Sequence, residues 1–135
     1  MTESYVQHIA GIEIPVTDLE ESIVWYEKHL STSLLFKTEH TAMLKCSVSN
    51  FTGYPTLYLV ETTDKKPLAF TSSYTNITHS VIDFYVPLLQ SFHSFLLDNG
   101  ILVSPLNVSP EGLGGFGFKD PSGNSFGATN IVHTD

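Results

Sequence analysis

The stretch that decides the fold is residues 12–30, IEIPVTDLEESIVWYEKHL. It opens with apolar residues at every second position, which is the pattern of a half-buried β-strand. Thr17 or Asp18 then offers an N-cap, and the two glutamates that follow place negative charge where the helix dipole favours it. Apolar residues next recur at spacings of three and four as far as Leu30. The stretch therefore predicts a strand followed by an amphipathic helix that packs on the strand's apolar face.

The same pattern returns in the second half of the chain. A shift of 70 residues pairs Ile12 with Ile82, and it also places the turn 50–53 (NFTG) on the turn 120–123 (DPSG). Because two separate segments agree on one offset, we interpret the chain as an internal duplication. We predict a first module at about residues 1–65 and a second at about residues 75–135. A polar linker over residues 62–76 is expected to join them.

Length and composition exclude several classes of protein. The chain has 135 residues, enough for one domain with a core, and its single cysteine permits no internal disulfide. No apolar run approaches the length of a membrane span and no signal peptide is recognisable, so we expect a soluble cytoplasmic protein with no membrane partner. The net charge of −8 repels phosphate backbones, so no nucleic-acid partner is expected either.

Each module is predicted to contain the elements βαβββ. In the first module we predict a helix at 18–30 and strands at 6–16, 33–37, 42–47 and 56–61, with a turn at 50–55. In the second we predict a helix at 88–99 and strands at 77–86, 101–103, 114–119 and 125–131, with a loop at 105–112. The predicted fold class is α+β, in which two modules form a cupped mixed sheet with the helices on its outer face.

Two segments carry a resemblance to a known family. PVTDLEESIVWYEKHL (15–30) resembles the first-module signature of the vicinal oxygen chelate superfamily, which includes glyoxalase I, bleomycin-resistance proteins and extradiol dioxygenases. DPSGNSFGATN (120–130) resembles the C-terminal hairpin of the same superfamily. The resemblance therefore spans essentially the whole chain and implies a single glyoxalase/bleomycin-resistance-like domain over residues 1–135. The superfamily contains lyases, dioxygenases, thiol transferases and metal-free drug binders, so the resemblance specifies fold better than function.

The resemblance implies four metal-ligand positions that can be compared with this sequence. In metal-dependent members, the first and last strands of each module contribute one ligand each. The corresponding residues here are Gly11, Val81, Gly127 and either Leu57 or Glu61. A stable divalent site needs about three or more convergent donors, so we predict that the site is lost and that no metal cofactor is bound. The alternative is a divalent metal ion in a displaced site formed by Glu61 and His79, which Glu13 could join.

Strand alternation predicts which side chains face the ligand in the cup. We expect the ligand-binding residues to be Glu13, Leu57, Leu59, Glu61, His79, Val81, Asp83, Tyr85, Phe116, Phe118 and Gly127. Glu13 and Asp83 are equivalent under the repeat, and three interpretations of them stay open: contact with a cationic ligand, proton transfer, or solvated strand ends. The glycines of residues 112–117 (GLGGFG) are expected to permit close approach of a ligand or of a neighbouring chain, or to let the strand bend.

The remaining candidate residues have simpler interpretations. We expect surface positions for four histidines without a partner at useful spacing: His29, His40, His93 and His133. Cys46 lies in a predicted strand with no cationic neighbour, which favours a buried, inert thiol over a nucleophile.

The function that the sequence favours is metal-free binding or sequestration of a small molecule, as in the glyoxalase/bleomycin-resistance type. The alternative is a divalent-metal-dependent lyase or dioxygenase of the same superfamily with a displaced metal site, so enzymatic activity stays open. A third hypothesis is a structural or regulatory domain without a ligand. The open sheet edges of two such modules, together with the resemblance, predict a homodimer.

Overall fold

The chain folds as two units, Met1–Lys65 and Lys66–Asp135, in the computed structural model, which describes residues 5–46 and 55–132. The boundary lies inside the predicted linker, and most of that linker, residues 66–76, belongs to the second unit. The predicted turn at 50–55 lies outside the described residues except for Pro55. Among the helices of the described ranges, none is long and apolar enough to cross a membrane.

The first unit contains one helix and a four-stranded sheet. Its elements are β1 (Gly11–Val16), α1 (Leu19–Leu30), β2 (Thr32–Lys37), β3 (Thr41–Cys46) and β4 (Thr56–Glu61). The strand order is β1-β4-β3-β2, with β1 parallel to β4 and the other neighbours antiparallel. The predicted βαβββ order is therefore present, although the first strand begins at Gly11 and not at residue 6.

Helix α1 is capped by a side chain at its start and by a backbone N–H group at its end. Asp18 is the N-cap, and its Oδ1 accepts a hydrogen bond from the Glu21 N–H at 3.0 Å, as the sequence predicted. Leu19, Ile23 and Tyr26 are buried on the face that packs toward the sheet. The helix ends at Ser31, which has a left-handed backbone with φ of 55°.

The second unit repeats this arrangement and adds a short hairpin. Its elements are β5 (Phe70–Thr71), β6 (Thr78–His79), β7 (Ile82–Tyr85), α2 (Leu89–Asp98), β8 (Asn107–Val108), β9 (Gly114–Lys119) and β10 (Ser125–Thr129). The main sheet has the order β7-β10-β9-β8, and β5 pairs with β6 alone. Helix α2 agrees with the prediction to within one residue at each end.

Three element predictions for the second unit are wrong. The strand predicted at 77–86 is divided into β6 and β7 by Ser80 and Val81, and only β7 joins the main sheet. The strand predicted at 101–103 is reduced to a single antiparallel bridge between Val103 and Phe118. The outer strand of the sheet is instead β8, which lies in the predicted loop and pairs with Gly114 and Gly115. These segments are short, so pairing partners decide their conformation more than local pattern does.

Phenylalanines form the core between α2 and the second sheet. The rings of Phe92, Phe116 and Phe118 lie 5.7 to 6.1 Å apart, and Phe126 lies 5.4 Å from Phe84 and 5.7 Å from Phe118. Phe116 and Phe118 are buried, with exposed fractions of 7% and 2%. Their predicted placement on the ligand face is therefore wrong, because both side chains pack on the helix side.

The same correction applies to Leu57 and Leu59 in the first unit. In the parallel pair β1–β4, Leu57 lies beside Ile12 and Leu59 beside Ile14, so they share the helix face. Both leucines are almost completely buried. The equivalent pair in the second unit joins Ile82 to Phe126, so Phe126 corresponds to Leu57 and the repeat offset falls from 70 to 69 between these strands. An offset error of one residue exchanges the two faces of a strand, which explains the wrong prediction.

Asn124 closes the hairpin turn between β9 and β10 and joins it to the start of the second unit. Its side chain is fully buried, and its Oδ1 accepts a hydrogen bond from the Leu68 N–H at 2.7 Å. Its amide nitrogen donates to Asp120 Oδ2 at 2.8 Å, while Asp120 Oδ1 accepts from the backbone N–H groups of Ser122 and Asn124. The turn is therefore held by side chains as well as by the ladder of the two strands.

Replacing Asn124 by alanine is expected to reduce the free energy of unfolding by about 1–3 kcal/mol, because Leu68 N–H and one Asp120 oxygen lose their partner in a buried position. Urea denaturation followed by circular dichroism measures the change. Gln90→Ala, which removes an exposed amide from α2, is the matched control and should leave stability nearly unchanged. Equal losses in both variants would contradict the structural role of Asn124.

Candidate functional site on the open face of the second sheet

The second unit has a cavity of about 890 Å³. It lies on the sheet face that carries Asp83 and Gly127, opposite the face covered by α2. The residues that line it are 78–80, 83, 102–104, 107, 114–119, 125–129 and 131. All of them belong to the second unit, so this cavity is formed without any contribution from the first.

Three glycines of β9 and β10 lie at the floor of the cavity. Asp83 pairs with Gly127 across β7 and β10, and Gly127 pairs with Gly117 across β10 and β9. Gly115 lies two residues before Gly117 on the same face of β9, where it pairs with Thr129. Only Gly117 leaves space above its backbone, because a Cβ atom at Gly115 would overlap the Ala128 carbonyl oxygen and the space above Gly127 holds the Asp83 carboxylate.

The Asp83 carboxylate occupies the space that a side chain at position 127 would need. A Cβ atom built on Gly127 would overlap Asp83 Oδ1. A Cβ built on Gly117 would instead lie 3.6 Å from the Phe126 carbonyl oxygen and 3.7 Å from Ser104 Oγ, which are ordinary contact distances. Glycine at 127 is therefore required for the position of Asp83, whereas Gly117 only leaves space open.

The structure brings together only part of the predicted ligand site. Asp83, His79 and Gly127 line the cavity, and Tyr85 is exposed on the same face, beside Thr129. Phe116 and Phe118 also border the cavity, although their rings pack on the helix side. Val81 is exposed in the segment between β6 and β7 and does not line the cavity. In the first unit, Glu13 is exposed on β1 and pairs with Tyr58, on the face opposite Ile14.

Other residues of the cavity were missed by the sequence analysis. Lys119 is an open-face residue of β9 and pairs with Ser125. Gly115, Gly117 and Lys119 alternate along β9 and share one face. The two phenylalanines of β9 were predicted on the ligand face, which assigned Lys119 to the opposite face. Ser104 and Asn107 come from the segment after α2, which has no alternation long enough to predict their direction.

The family's metal-ligand positions do not fit a metal ion in this chain. The strand register places the fourth position at Tyr58, the counterpart of Gly127, and not at Leu57 or Glu61. The four positions thus hold two glycines, a valine and a tyrosine, and a phenol is the only donor among their side chains. Within residues 5–46 and 55–132, no group of three or more His, Cys, Asp or Glu side chains could hold a metal ion.

Glu61, which forms the alternative metal pair with His79, is held by hydrogen bonds within the first unit. It pairs with Val16, so its predicted place on the ligand face of the sheet is wrong. Its Oε2 accepts a hydrogen bond from the Leu19 N–H at 2.8 Å, and its Oε1 lies 2.7 Å from His40 Nδ1. The carboxylate therefore joins the end of β4 to the first turn of α1 and to the β2–β3 turn. His79, the other half, stacks on Phe70 with ring centroids 5.3 Å apart.

The predicted exposure of the remaining histidines and the predicted inertness of the cysteine are confirmed for some of these residues and not for others. His29 was predicted at the surface, but it is buried beside Trp25, and this burial lowers its pKa. His93 is half-buried, with Nε2 3.0 Å from the Ser104 carbonyl oxygen, while His40 is exposed as predicted. Burial raises the pKa of the Cys46 thiol, which agrees with an inert thiol. His133 lies outside the described residues.

Solved structures identify the fold. Neither a protein-family model nor a curated protein sequence matches the chain. The antibiotic-binding protein TnmS3 from Streptomyces sp. CB03234 is similar with a TM-score of 0.70 and 18% identity, covering 94% of this chain and 98% of its own. A glyoxalase family protein from Enterococcus faecalis has a TM-score of 0.68 and 20% identity, covering 93% and 99%. Lactoylglutathione lyase from Agrobacterium tumefaciens has a TM-score of 0.67 and 16% identity, covering 93% and 95%.

The chain has the glyoxalase fold. The predicted α+β class with a duplicated module is thereby confirmed, and the fold is the one that the resemblance implied. The three structures share this fold although one is described as an antibiotic-binding protein and another as a lyase, so the likeness does not fix an activity.

The His40–Glu61 pair is expected to stabilise the protein most between about pH 4.5 and 6.5. Hydrogen bonding to Glu61 and the nearby Glu39 raise the pKa of His40 above 6.5, so its contribution is lost as the pH rises through the raised value. Hydrogen bonds from His40 and Leu19, with Lys37 nearby, lower the pKa of Glu61 below 4.5, so its contribution is lost as the pH falls through the lowered value. His40→Gln should therefore lower Tm by a few degrees at about pH 5.5 and much less at about pH 8.5.

Differential scanning calorimetry of wild type and His40→Gln at both pH values measures this difference. His8→Gln is the control, because it removes a histidine from the exposed segment before β1. A loss in Tm that is equal at the two pH values would show that the charge of His40 has no part in the pair.

Proposed function

We propose that this protein binds a small molecule without a metal ion and holds or sequesters it on the open face of the second sheet. The observation that carries the proposal is the cavity of about 890 Å³, whose floor leaves space above Gly117 and whose acidic group is Asp83. Its volume lies in the range of about 300–1,000 Å³ that is typical of small-molecule sites. Apolar side chains of Leu102 and Ile131 and polar side chains of Ser125 and Thr129 surround the same space.

The donor set supports binding without metal. The family's four positions supply one phenol, and Glu61 is already held by the Leu19 N–H and by His40. For Glu61 to serve as a ligand it would have to give up the contacts that join β4 to α1. These contacts of Glu61 count against a metal-dependent lyase or dioxygenase with a displaced site.

The similarity to TnmS3 also supports small-molecule binding. TnmS3 is an antibiotic-binding protein and has the same fold over nearly its whole length. We extend small-molecule binding, but no particular ligand, from that protein to this one.

We further propose that the protein acts in the cytoplasm as a homodimer. The single cysteine is compatible with a reducing compartment. Among the described strands, β2 pairs only with β3 and β8 only with β9, so each sheet has an edge to which a second copy could add. Light scattering at several protein concentrations tests the dimer, and a constant monomer mass would exclude it.

The function is tested by metal analysis together with a ligand screen. Protein purified without chelator, and protein incubated with nickel, zinc, manganese or iron(II), is expected to contain no stoichiometric metal after desalting. A thermal-shift screen of neutral, anionic and cationic aromatic compounds should find ligands that raise Tm equally before and after treatment with EDTA. Mass action requires that the rise grows with ligand concentration.

Substitution of the site separates specific binding from a general effect on the fold. Asp83→Asn or Gly127→Leu should reduce the ligand-induced shift, while Asp98→Asn at the end of α2 should leave it unchanged. Stoichiometric metal that disappears in Glu61→Gln or His79→Ala would establish the metal-dependent alternative. A complete screen without any shift would contradict the binding function.

A further inference from the structure

We propose that the cavity of the second unit holds its ligand by the edge of a neutral amide, whose N–H group donates to Asp83 and whose carbonyl oxygen accepts from Ser104. Primary carboxamides, ureas and lactams present such an edge. The inference rests on the proposed binding function and specifies which chemical group of the ligand the open face accepts. It also makes Gly117 the residue that sets the specificity of the site.

The space for the amide lies above Gly117. This glycine is the direct neighbour of Gly127 on β10, and Ser104 is bonded to it from the other side of β9. The nearest neighbours of a Cβ atom at 117 would be the Phe126 carbonyl oxygen at 3.6 Å and Ser104 Oγ at 3.7 Å, so the space is open. The Asp83 carboxylate fills the corresponding space above Gly127. A small group that enters above Gly117 therefore lies between a carboxylate and a hydroxyl group.

The separation of these two groups fits an amide. Asp83 Oδ1 takes the place of a Cβ atom at 127, and the Cβ positions of directly opposed residues lie about 5 Å apart. Because Ser104 Oγ lies on the far side of Gly117, the two side-chain oxygens are about 7–9 Å apart. The nitrogen and oxygen of an amide are about 2.3 Å apart, so an amide with a hydrogen bond at each end spans about 8 Å. A single hydroxyl oxygen with two such bonds spans only about 5.5 Å.

The two side chains also offer the complementary hydrogen-bonding groups. An ionised carboxylate only accepts, and none of the described residues donates a hydrogen bond to Asp83 or forms a salt bridge with it. Ser104 Oγ accepts from the Gly117 N–H at 2.8 Å, which leaves the hydroxyl hydrogen of Ser104 to donate. A ligand group with a donor at one end and an acceptor at the other satisfies both side chains.

The charges of the open face favour a neutral group over an ion. An anion above Gly117 would be repelled by Asp83. A cation there would be repelled by Lys119, which lies two residues along β9 on the same face, about 7 Å away and within the screening length of about 8 Å. Attraction between a cation and Asp83 contributes little, because this carboxylate is exposed. A neutral amide turns its N–H group toward Asp83 and its carbonyl oxygen toward the side of the sheet that carries Lys119.

The test compares benzamide, benzoate and benzamidine, three probes that share one shape. Benzamide has a donor and an acceptor, benzoate only acceptors and benzamidine only donors, while the phenyl ring offers Leu102 the same apolar contact in each. Titration of the ¹⁵N-labelled full chain, followed by the backbone amide signals of Gly117 and Gly127, gives the dissociation constants. We expect about 1–10 mM for benzamide and at least about fivefold weaker binding of the other two.

Three results of this titration overturn the proposal. Equal affinity for benzamidine would show that the site selects the charge opposite to Asp83. Equal affinity for benzoate would show that no donor is needed. Absence of a saturable shift of the Gly117 signal with benzamide would show that the amide does not lie above this glycine.

A glycine variant tests the position of the amide. Gly117→Ala adds a methyl group at ordinary contact distances, so the fold should be unchanged while benzamide loses about tenfold or more in affinity, because the methyl group occupies its place. Ser73→Thr adds a methyl group at an exposed position of the β5–β6 hairpin and is the matched control. Unchanged benzamide affinity in folded Gly117→Ala contradicts the proposed placement.

A serine variant tests the donor. Ser104→Ala should weaken benzamide by about fivefold, whereas Ser104→Thr keeps a hydroxyl group and should weaken it by about twofold at most. Ser94→Ala removes an exposed hydroxyl group from α2 and should have no effect. Full benzamide affinity in Ser104→Ala would exclude the hydroxyl group as the donor.

Variants of the charged residues test the acceptor and the preference for a neutral group. Asp83→Ala should weaken benzamide by about tenfold, and Asp83→Asn, which keeps an oxygen acceptor, should weaken it less. Lys119→Gln should tighten benzamidine and leave benzamide nearly unchanged. Circular dichroism confirms that each variant is folded. Benzamide affinity that is unaffected in folded Asp83→Ala overturns the role of the carboxylate.

Failure of this inference is distinguishable from failure of the binding function. If compounds from the thermal-shift screen bind while benzamide does not, the protein binds ligands through another chemical group. If no compound of any class binds, the binding function itself is wrong.

Discussion

The parallel pairing of the first strand with the last strand in each unit is the constraint on which the rest of the structure depends. In the first unit this pair is β1–β4, and in the second it is β7–β10. Each pair sets which side chains lie under the helix and which lie on the open face. In the second unit the same register also places Asp83 beside Gly127, so the core and the candidate site are consequences of one pairing.

The sequence predicted the elements with strong local signals. The cap at Asp18, the periodicity of α1 and the duplicated βαβββ order were recognisable because they depend on residues close together in the chain. Strand faces were predicted less well, since they depend on the register between distant segments. The repeat offset is 69 and not 70 at β4 and β10, and this difference of one residue put Leu57 and Leu59 on the wrong predicted face. The sequence pattern alone does not show the register in which β4 pairs with β1.

The face on which a strand residue lies was predicted correctly where parity was anchored by an apolar core residue. Asp83 lies between Ile82 and Phe84, which face the helix, and its open-face position followed from them. Phe116 and Phe118 were misplaced because large aromatic side chains suit either a core or a ligand site, and only contact with Phe92 decides between these. Glu61 shows a related ambiguity: a strand-end carboxylate suits a metal, but a free N–H at the start of a helix is an equally suitable partner.

The overlap between Asp83 and the space above Gly127 also bears on how such a chain could change over generations. The metal-ligand positions that the resemblance implies are Gly11, Tyr58, Val81 and Gly127, so metal binding there would need new donors at the two glycines and the valine. A carboxylate introduced at 127 would meet the one that already lies there, and Asp83 would have to yield first. The close approach of Asp83 to Gly127 therefore restricts the side chains that position 127 can accept, whatever residues stand at the other three positions.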